Sequence, residues 1–76
     1  EMDKLSYILY PNPAKKGQVV SVKSNVISKN IITTNILGEQ VNFDNFINTS
    51  GLGKGIYIVN IEFVNGTKSD AKLIIK

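Results

Sequence analysis

A run of alternating residues near the C-terminal end constrains the fold of this chain more than any other feature. Within residues 56–64, one face of an extended chain carries four large side chains, Tyr57, Val59, Ile61 and Phe63. The dipeptide Asn65-Gly66 follows and is typical of a two-residue hairpin turn, in which both positions favour positive φ. Residues 67–76 alternate in the same way and turn three apolar side chains to one face, Ala71, Leu73 and Ile75. The sequence therefore predicts a long antiparallel hairpin over residues 56–76.

Two shorter segments at the start of the chain also favour strands. Residues 5–10 predict a first strand, which Pro11-Asn12-Pro13 ends because proline has no backbone donor for a ladder. Residues 18–23 alternate, with Val20 and Val22 on one face.

A second hairpin is expected in the middle of the chain. Residues 30–37 are rich in β-branched side chains, and Gly38-Glu39 makes a tight turn into residues 40–43. Alternation leaves two assignments open for the inward face of the first strand: Ile32, Thr34 and Ile36, or Ile31 and Thr33. Residues 44–50 are mostly polar and predict a short strand or a sheet edge.

These segments together indicate an all-β fold. No segment shows a 3.6-residue apolar period, and about seven short strands joined by frequent turns are typical of an immunoglobulin-like antiparallel β-sandwich. The glycines Gly51, Gly53 and Gly55 mark a corner before the strongest strand. Tyr57, just after it, predicts a tyrosine corner, in which the hydroxyl bonds a backbone group a few residues upstream. The 76 residues suffice for one domain, residues 1–76, and residues 1–5 are interpreted as the end of a linker.

Composition removes most kinds of catalytic and ligand site. The chain has no cysteine and no histidine, which excludes a thiolate metal site, zinc bound by histidine and a histidine general base. We therefore expect no enzyme activity, no metal and no cofactor. The net charge of +3 comes from nine lysines and no arginine, and the lysines are scattered along the chain. Nucleic-acid binders cluster their charge and use arginine, so no nucleic-acid partner is expected.

The C-terminal run Lys72-Leu73-Ile74-Ile75-Lys76 has two interpretations. Its lysines share one strand face about 13 Å apart, at ~3.3 Å per residue. They could simply keep an edge strand soluble, which is the more common role of such residues. Alternatively, they form a recognition strip where a partner reaches both the charges and the edge backbone.

Four motifs, taken in order, resemble a known family. Tyr10-Pro11-Asn12-Pro13 is similar to the opening of that family, and residues 35–41, from Asn35 through Gly38, are similar to its central strand–turn signature. Leu52-x-x-Gly55-x-Tyr57-x-Val59 resembles its next motif. A glycine hairpin at Gly66 and the lysine-ended strand complete the pattern. Thr33 and Thr34 depart from it, since an apolar residue and a tyrosine are more usual there. The family is the type A C-terminal sorting domain of the type IX (Por) secretion system.

This resemblance implies that the domain is a sorting signal rather than a catalyst. The domain would follow a cargo that crosses the inner membrane with an ordinary signal peptide, passes through the periplasm and reaches the cell surface or the medium. The outer-membrane translocon and its shuttle proteins would recognise it. A sortase-like signal peptidase would remove it at or before residues 1–5, and the cargo could then be attached to the surface. Lys72 and Lys76, with the strand between them, are the implied translocon contact; the other motif residues are expected to build the fold.

Three other hypotheses remain at this stage. An immunoglobulin-like binding or adhesion module of a secreted bacterial protein would need a platform of exposed aromatic side chains, drawn from Tyr7, Tyr10, Phe43, Phe46, Tyr57 and Phe63. A passive spacer would be expected to continue beyond Lys76, where a sorting signal ends. An enzyme would need a deep pocket lined by perturbed carboxylates.

Overall fold

The computed structural model describes residues 5–42 and 46–76. In these ranges the chain is all-β, as predicted, with one short 3₁₀ helix at Thr49–Gly51. The strands, in chain order, are β1 (Tyr7–Tyr10), β2 (Val19–Ser24), β3 (Ser28–Thr34), β4 (Gln40–Asn42), β5 (Ile47–Asn48), β6 (Gly55–Phe63) and β7 (Lys68–Ile75). They form a three-stranded antiparallel sheet in the order β1-β2-β5 and a four-stranded one in the order β4-β3-β6-β7. The two sheets make a small immunoglobulin-like β-sandwich.

The long hairpin predicted at the C-terminal end is β6–β7. Its register pairs Gly55 with Ile75 and Glu62 with Lys68. The predicted two-residue turn is wrong, because Phe63 N–H bonds Thr67 O at 2.8 Å and leaves a three-residue loop over residues 64–66. Only Gly66 in this loop has positive φ, at 89°, so Asn65 does not adopt the conformation that a two-residue turn requires. Asn65 instead accepts a bond from Thr67 N–H through its side chain, at 3.0 Å.

Strand β3 resolves the ambiguity in its inward face. Ile31 and Thr33 are buried, whereas Ile32 is exposed. Ile31 lies opposite Ile61 and Thr33 opposite Val59. Residues directly opposite in a sheet point to the same side, so the clear alternation of β6 decides that of β3. The strand ends at Thr34 rather than at residue 37, because residues 35–39 form the turn.

The β3–β4 hairpin is present, but its turn is wider than predicted. Asn35 N–H bonds Glu39 O at 2.9 Å, and Gly38 N–H bonds Asn35 O at 3.0 Å. The Asn35 side-chain oxygen also accepts bonds from the backbone N–H groups of Leu37 and Glu39, each at 2.9 Å. Predicted strand residue 43 lies outside the described residues.

The core lies between the two sheets. Its buried apolar residues come from both sheets and from the loops beside them: Leu9, Ala14, Val20, Ile31, Ile47, Leu52, Val59, Ile61, Phe63, Leu73 and Ile75. Tyr57 packs at its border, and its hydroxyl donates to Gly53 O at 2.8 Å. The predicted tyrosine corner is therefore confirmed.

The N-terminal segment connects the two sheets. β1 pairs with β2 in the three-stranded sheet, and after Pro13 the chain reaches the other sheet, where Ala14 makes a parallel bridge to Ile75. Leu5 is half-buried and packs against the core, and the strand begins at Tyr7. The rest of the predicted linker, residues 1–4, lies outside the described residues, as do residues 44 and 45 of the predicted short strand.

Candidate functional site

The C-terminal run alternates between the core and the surface. Leu73 and Ile75 are 0% and 2% exposed, so they anchor the strand to the core. Lys72, Ile74 and Lys76 are exposed and point away from the core. Within the folded domain, only these three of the five predicted contact residues offer their side chains to a partner.

One edge of β7 is paired with β6, and the N-terminal segment closes much of the other edge. Asn12 donates from its side-chain Nδ2 to Lys72 O at 2.8 Å, and its Oδ1 accepts from Ile74 N–H at 3.1 Å. Ala14 N–H then bonds Ile74 O at 2.8 Å, and Ala14 O accepts from Lys76 N–H at 2.8 Å. The predicted motif Pro11-Asn12-Pro13 therefore serves the last strand directly, in addition to ending the first one.

Tyr7 extends this cover toward the start of β7. Its hydroxyl shares a hydrogen bond with the Ser69 hydroxyl at 2.7 Å and lies 3.3 Å from Asp70 O. Its ring packs against Phe63, with the centroids 5.5 Å apart. We call the groups from Tyr7, Asn12 and Ala14 that bond the outer edge of β7 the edge cover.

The edge cover corrects one prediction. A partner cannot reach the backbone of residues 72–76 by adding a strand, because Lys72 O, both backbone groups of Ile74 and Lys76 N–H already have partners. Strand addition needs free N–H and C=O groups along an edge. Within residues 72–76, the folded domain therefore leaves the outward side chains accessible to a partner.

The remaining motif residues build turns and anchors. Gly38 has φ +86°, a conformation that favours glycine and lets the chain turn beside Asn35. Leu52 is buried, and Gly55 begins β6. Tyr10 ends β1 with Lys23 Nζ 4.5 Å above its ring.

Two structural roles had no clear sequence signal. Asn12 reaches a strand 60 residues away in the chain, and a local pattern gives no indication of such a partner. Thr49 is fully buried, and its hydroxyl accepts from Gly17 N–H at 2.8 Å and donates to Gln18 O at 2.7 Å. These bonds hold the loop that follows Ala14, and so they help to keep Ala14 in place in the edge cover.

The features that would favour other functions are weak in the described ranges. Of the aromatic residues there, Tyr10 and Phe46 are exposed, Tyr7 and Tyr57 are half-buried and Phe63 is buried. Phe43 lies outside the described residues. Among residues 5–42 and 46–76, no three acidic residues cluster as metal ligands would. In the same ranges no helix is long and apolar enough to cross a membrane.

The fold and this surface define a small β-sandwich in which one face of the last hairpin, β6–β7, is open to a partner. A family model described as a secretion system C-terminal sorting domain matches residues 8–76. The chain belongs to this family, and the resemblance found in the motifs is confirmed. No curated protein matches the chain significantly.

Membership defines the general role. The chain is a C-terminal sorting signal of the type IX secretion system, and it interacts with that machinery. Its attached cargo is exported to the cell surface or secreted. The family is one of signal domains rather than of enzymes.

Proposed function

We propose that the translocon reads this signal through the outward side chains of Lys72, Ile74 and Lys76. The observation that carries the proposal is the closed outer edge of β7, where Asn12 and Ala14 occupy the backbone groups that a partner strand would use. Within residues 72–76, the two ammonium groups and the isoleucine between them are what the strand leaves accessible. The outer-membrane translocon and its shuttle proteins are the proposed partners, and they meet the folded domain in the periplasm.

We further propose that residues 1–76 are one C-terminal domain whose linker is cleaved at or before residues 1–5. A sortase-like signal peptidase would make the cut, and the cargo would then be released or attached to the cell surface. The cut leaves β1 intact, because the first strand begins at Tyr7. Mass spectrometry of the exported cargo would locate its new C-terminus; a cut inside β1 or later would contradict this part of the proposal.

The test of recognition is a secretion assay with point substitutions. A fluorescent passenger with an inner-membrane signal peptide is fused ahead of this chain in a bacterium that has the type IX system. Deleting residues 72–76 would remove Leu73 and Ile75 from the core, so a deletion confuses recognition with folding. The double variant Lys72→Glu/Lys76→Glu changes only exposed side chains.

Lys68→Glu is a control on the same strand. Lys68 is exposed at the other end of β7, opposite Glu62. We expect the double variant to hold the passenger in the periplasm, while Lys68→Glu and the native chain export it. Equal export by all three would contradict the role of Lys72 and Lys76. Thermal unfolding of each purified variant shows whether the fold is retained.

A further inference from the structure

The outer face of the four-stranded sheet is divided into two chemically different halves. In one half, Asn60 lies opposite Asp70 and Glu62 opposite Lys68, which is an ordinary polar surface. In the other half, Ile58 lies opposite Lys72 and Ile56 opposite Ile74. Because opposite residues in a sheet share a face, Lys72 has an isoleucine beside it rather than a carboxylate.

This second half is both apolar and exposed. Ile56 is 46% exposed and Ile74 is 37% exposed, and the neighbouring Ile58 is half-buried. A groove beside Ile56 is lined by Lys54 and Ile36, and Ile36 is 75% exposed. Lys54, Lys72 and Lys76 thus border a patch whose centre is isoleucine. We name this surface the Ile–Lys face.

Resting on the proposed function, we propose that the Ile–Lys face is one composite docking surface, in which Lys54, Ile56 and Ile58 contact the same partner as the last strand. The partner is a folded protein of the secretion machinery whose contact surface is apolar at its centre and bordered by carboxylates. Burial of apolar area with charge complementarity at the rim is the usual composition of a specific protein interface. The signal is then a surface of two strands instead of a terminal peptide.

The chemistry of the face favours such a protein over two other occupants. A second copy joined about a two-fold axis would place the lysines of one face near those of the other, and like charges repel across an isologous contact. An anionic membrane is usually bound by clusters of four to eight basic residues, whereas three lysines border this face. Carboxylates on a protein partner would compensate all three ammonium groups.

The edge cover supports a contact through the face. Asn12 and Ala14 bond the outer edge of β7 from Lys72 to Lys76, so the accessible part of the strand continues sideways only onto β6. There the family motif specifies Gly55, Tyr57 and Val59. Val59 is buried and Tyr57 is half-buried against the core, while Ile56 and Ile58 fill the positions between them. The residues that the motif leaves open are therefore those that face a partner.

Two substitutions on β6 test the proposal in the secretion assay. Ile56→Glu places an acid against the apolar centre of the partner surface and within its border of carboxylates, and Ile56→Lys is its matched variant of opposite charge. We expect about a tenfold loss of exported passenger for Ile56→Glu, as for a residue in the centre of an interface, and a smaller loss for Ile56→Lys. Lys54→Glu lies outside the core and is expected to reduce export even if Ile56→Glu destabilises the fold.

Ile32→Glu is the control, because Ile32 is 39% exposed on the same face but lies opposite Asn60 in the polar half. Export within about twofold of the native chain is expected for it, as for a residue outside the interface. If Ile56→Glu and Lys54→Glu export as well as the native chain, the composite face is refuted while the sorting function stands. If the native chain itself is not exported, the proposed function fails instead.

The other occupants would overturn the proposal through different measurements. If the face bound a membrane, the purified domain would co-sediment with phosphatidylglycerol vesicles at physiological salt, and Ile56→Glu would abolish this binding. Sedimentation velocity would show a concentration-dependent dimer sensitive to Ile56→Glu if the occupant were a second copy. A monomer that does not bind the vesicles supports a protein partner.

Discussion

The inner and outer faces of the β6–β7 hairpin follow different rules. The inner face consists of the residues that the family motif specifies or that alternate with it, and these pack in the core at Val59, Phe63 and Leu73. The outer face carries isoleucines and lysines at one end and mixed polar residues at the other, and the motifs include only its lysines at the end of β7. Most of the recognisable part of this signal therefore builds the scaffold, while the part proposed to be read consists of the motif lysines of β7 and of residues between the motif positions.

Leu73→Ala should have the largest effect, because it breaks the inner face. Leu73 is fully buried, and truncating a buried leucine removes packing and leaves a cavity that costs about 3 kcal/mol. In a domain of this size that is a large share of the total free energy of unfolding. Chemical denaturation gives the loss directly. A loss no larger than that of a surface variant would show that the inner face does not carry the stability of the fold.

Asn12→Ala tests the edge cover, which closes the outer edge of β7 and leaves the outer face accessible. It removes the side-chain bonds to Lys72 O and Ile74 N–H, and we expect a destabilisation of about 2 kcal/mol. It also exposes part of the β7 edge, so association that increases with concentration is expected by gel filtration. Asn12→Asp keeps the acceptor for Ile74 N–H and should lose less. A monomer of native stability would refute the edge cover.

Thr33→Val should strengthen the inner face. Thr33 is fully buried, and its hydroxyl has no hydrogen-bond partner within the described ranges. Valine has nearly the same shape without the desolvated hydroxyl, so stability should rise by about 1 kcal/mol. This residue departs from the family pattern, in which an apolar side chain is more usual. A fall in the midpoint of thermal unfolding would mean that the hydroxyl has a partner after all.

Lys72→Gln should have the smallest effect on stability of these variants. It distinguishes the role of the outer face in export from that of the inner face in folding. Lys72 is exposed, and surface substitutions of this kind change the free energy of unfolding by less than about 0.5 kcal/mol. The same variant should reduce export, since it removes one proposed contact. Lys68→Gln is the matched control and should change neither quantity. Export lost in proportion to stability would indicate that folding alone explains the effect.

Local patterns predicted much of the fold. Alternation located β2, β6 and the inner face of β7, and the glycine corner before Tyr57 predicted a hydroxyl bond to a backbone group upstream, which is Gly53 O. These features depend on residues that are close in the chain, where steric preference and side-chain period act directly. The hairpin at Asn65-Gly66 was predicted, but its two-residue turn was wrong, because the three-residue form depends on which residues of the two strands pair.

The candidate site was predicted in part. The sequence predicted that Lys72, Ile74 and Lys76 share an outward face, and the structure agrees. The sequence did not predict that the edge beside them is closed, nor that Ile56 and Ile58 lie next to them. The first depends on Asn12, 60 residues from Lys72, and the second on the register of β6 with β7.

The sequence by itself therefore determined the class of fold, the family and the alternation of the last strand, because each depends on period and on residue type. The tertiary structure alone decided which face of β3 points inward, where the N-terminal segment crosses between the sheets, and which side of β7 a partner can reach. These depend on pairings between distant parts of the chain, such as Ala14 with Ile75, and hydrogen bonds of this kind form only when the sandwich closes.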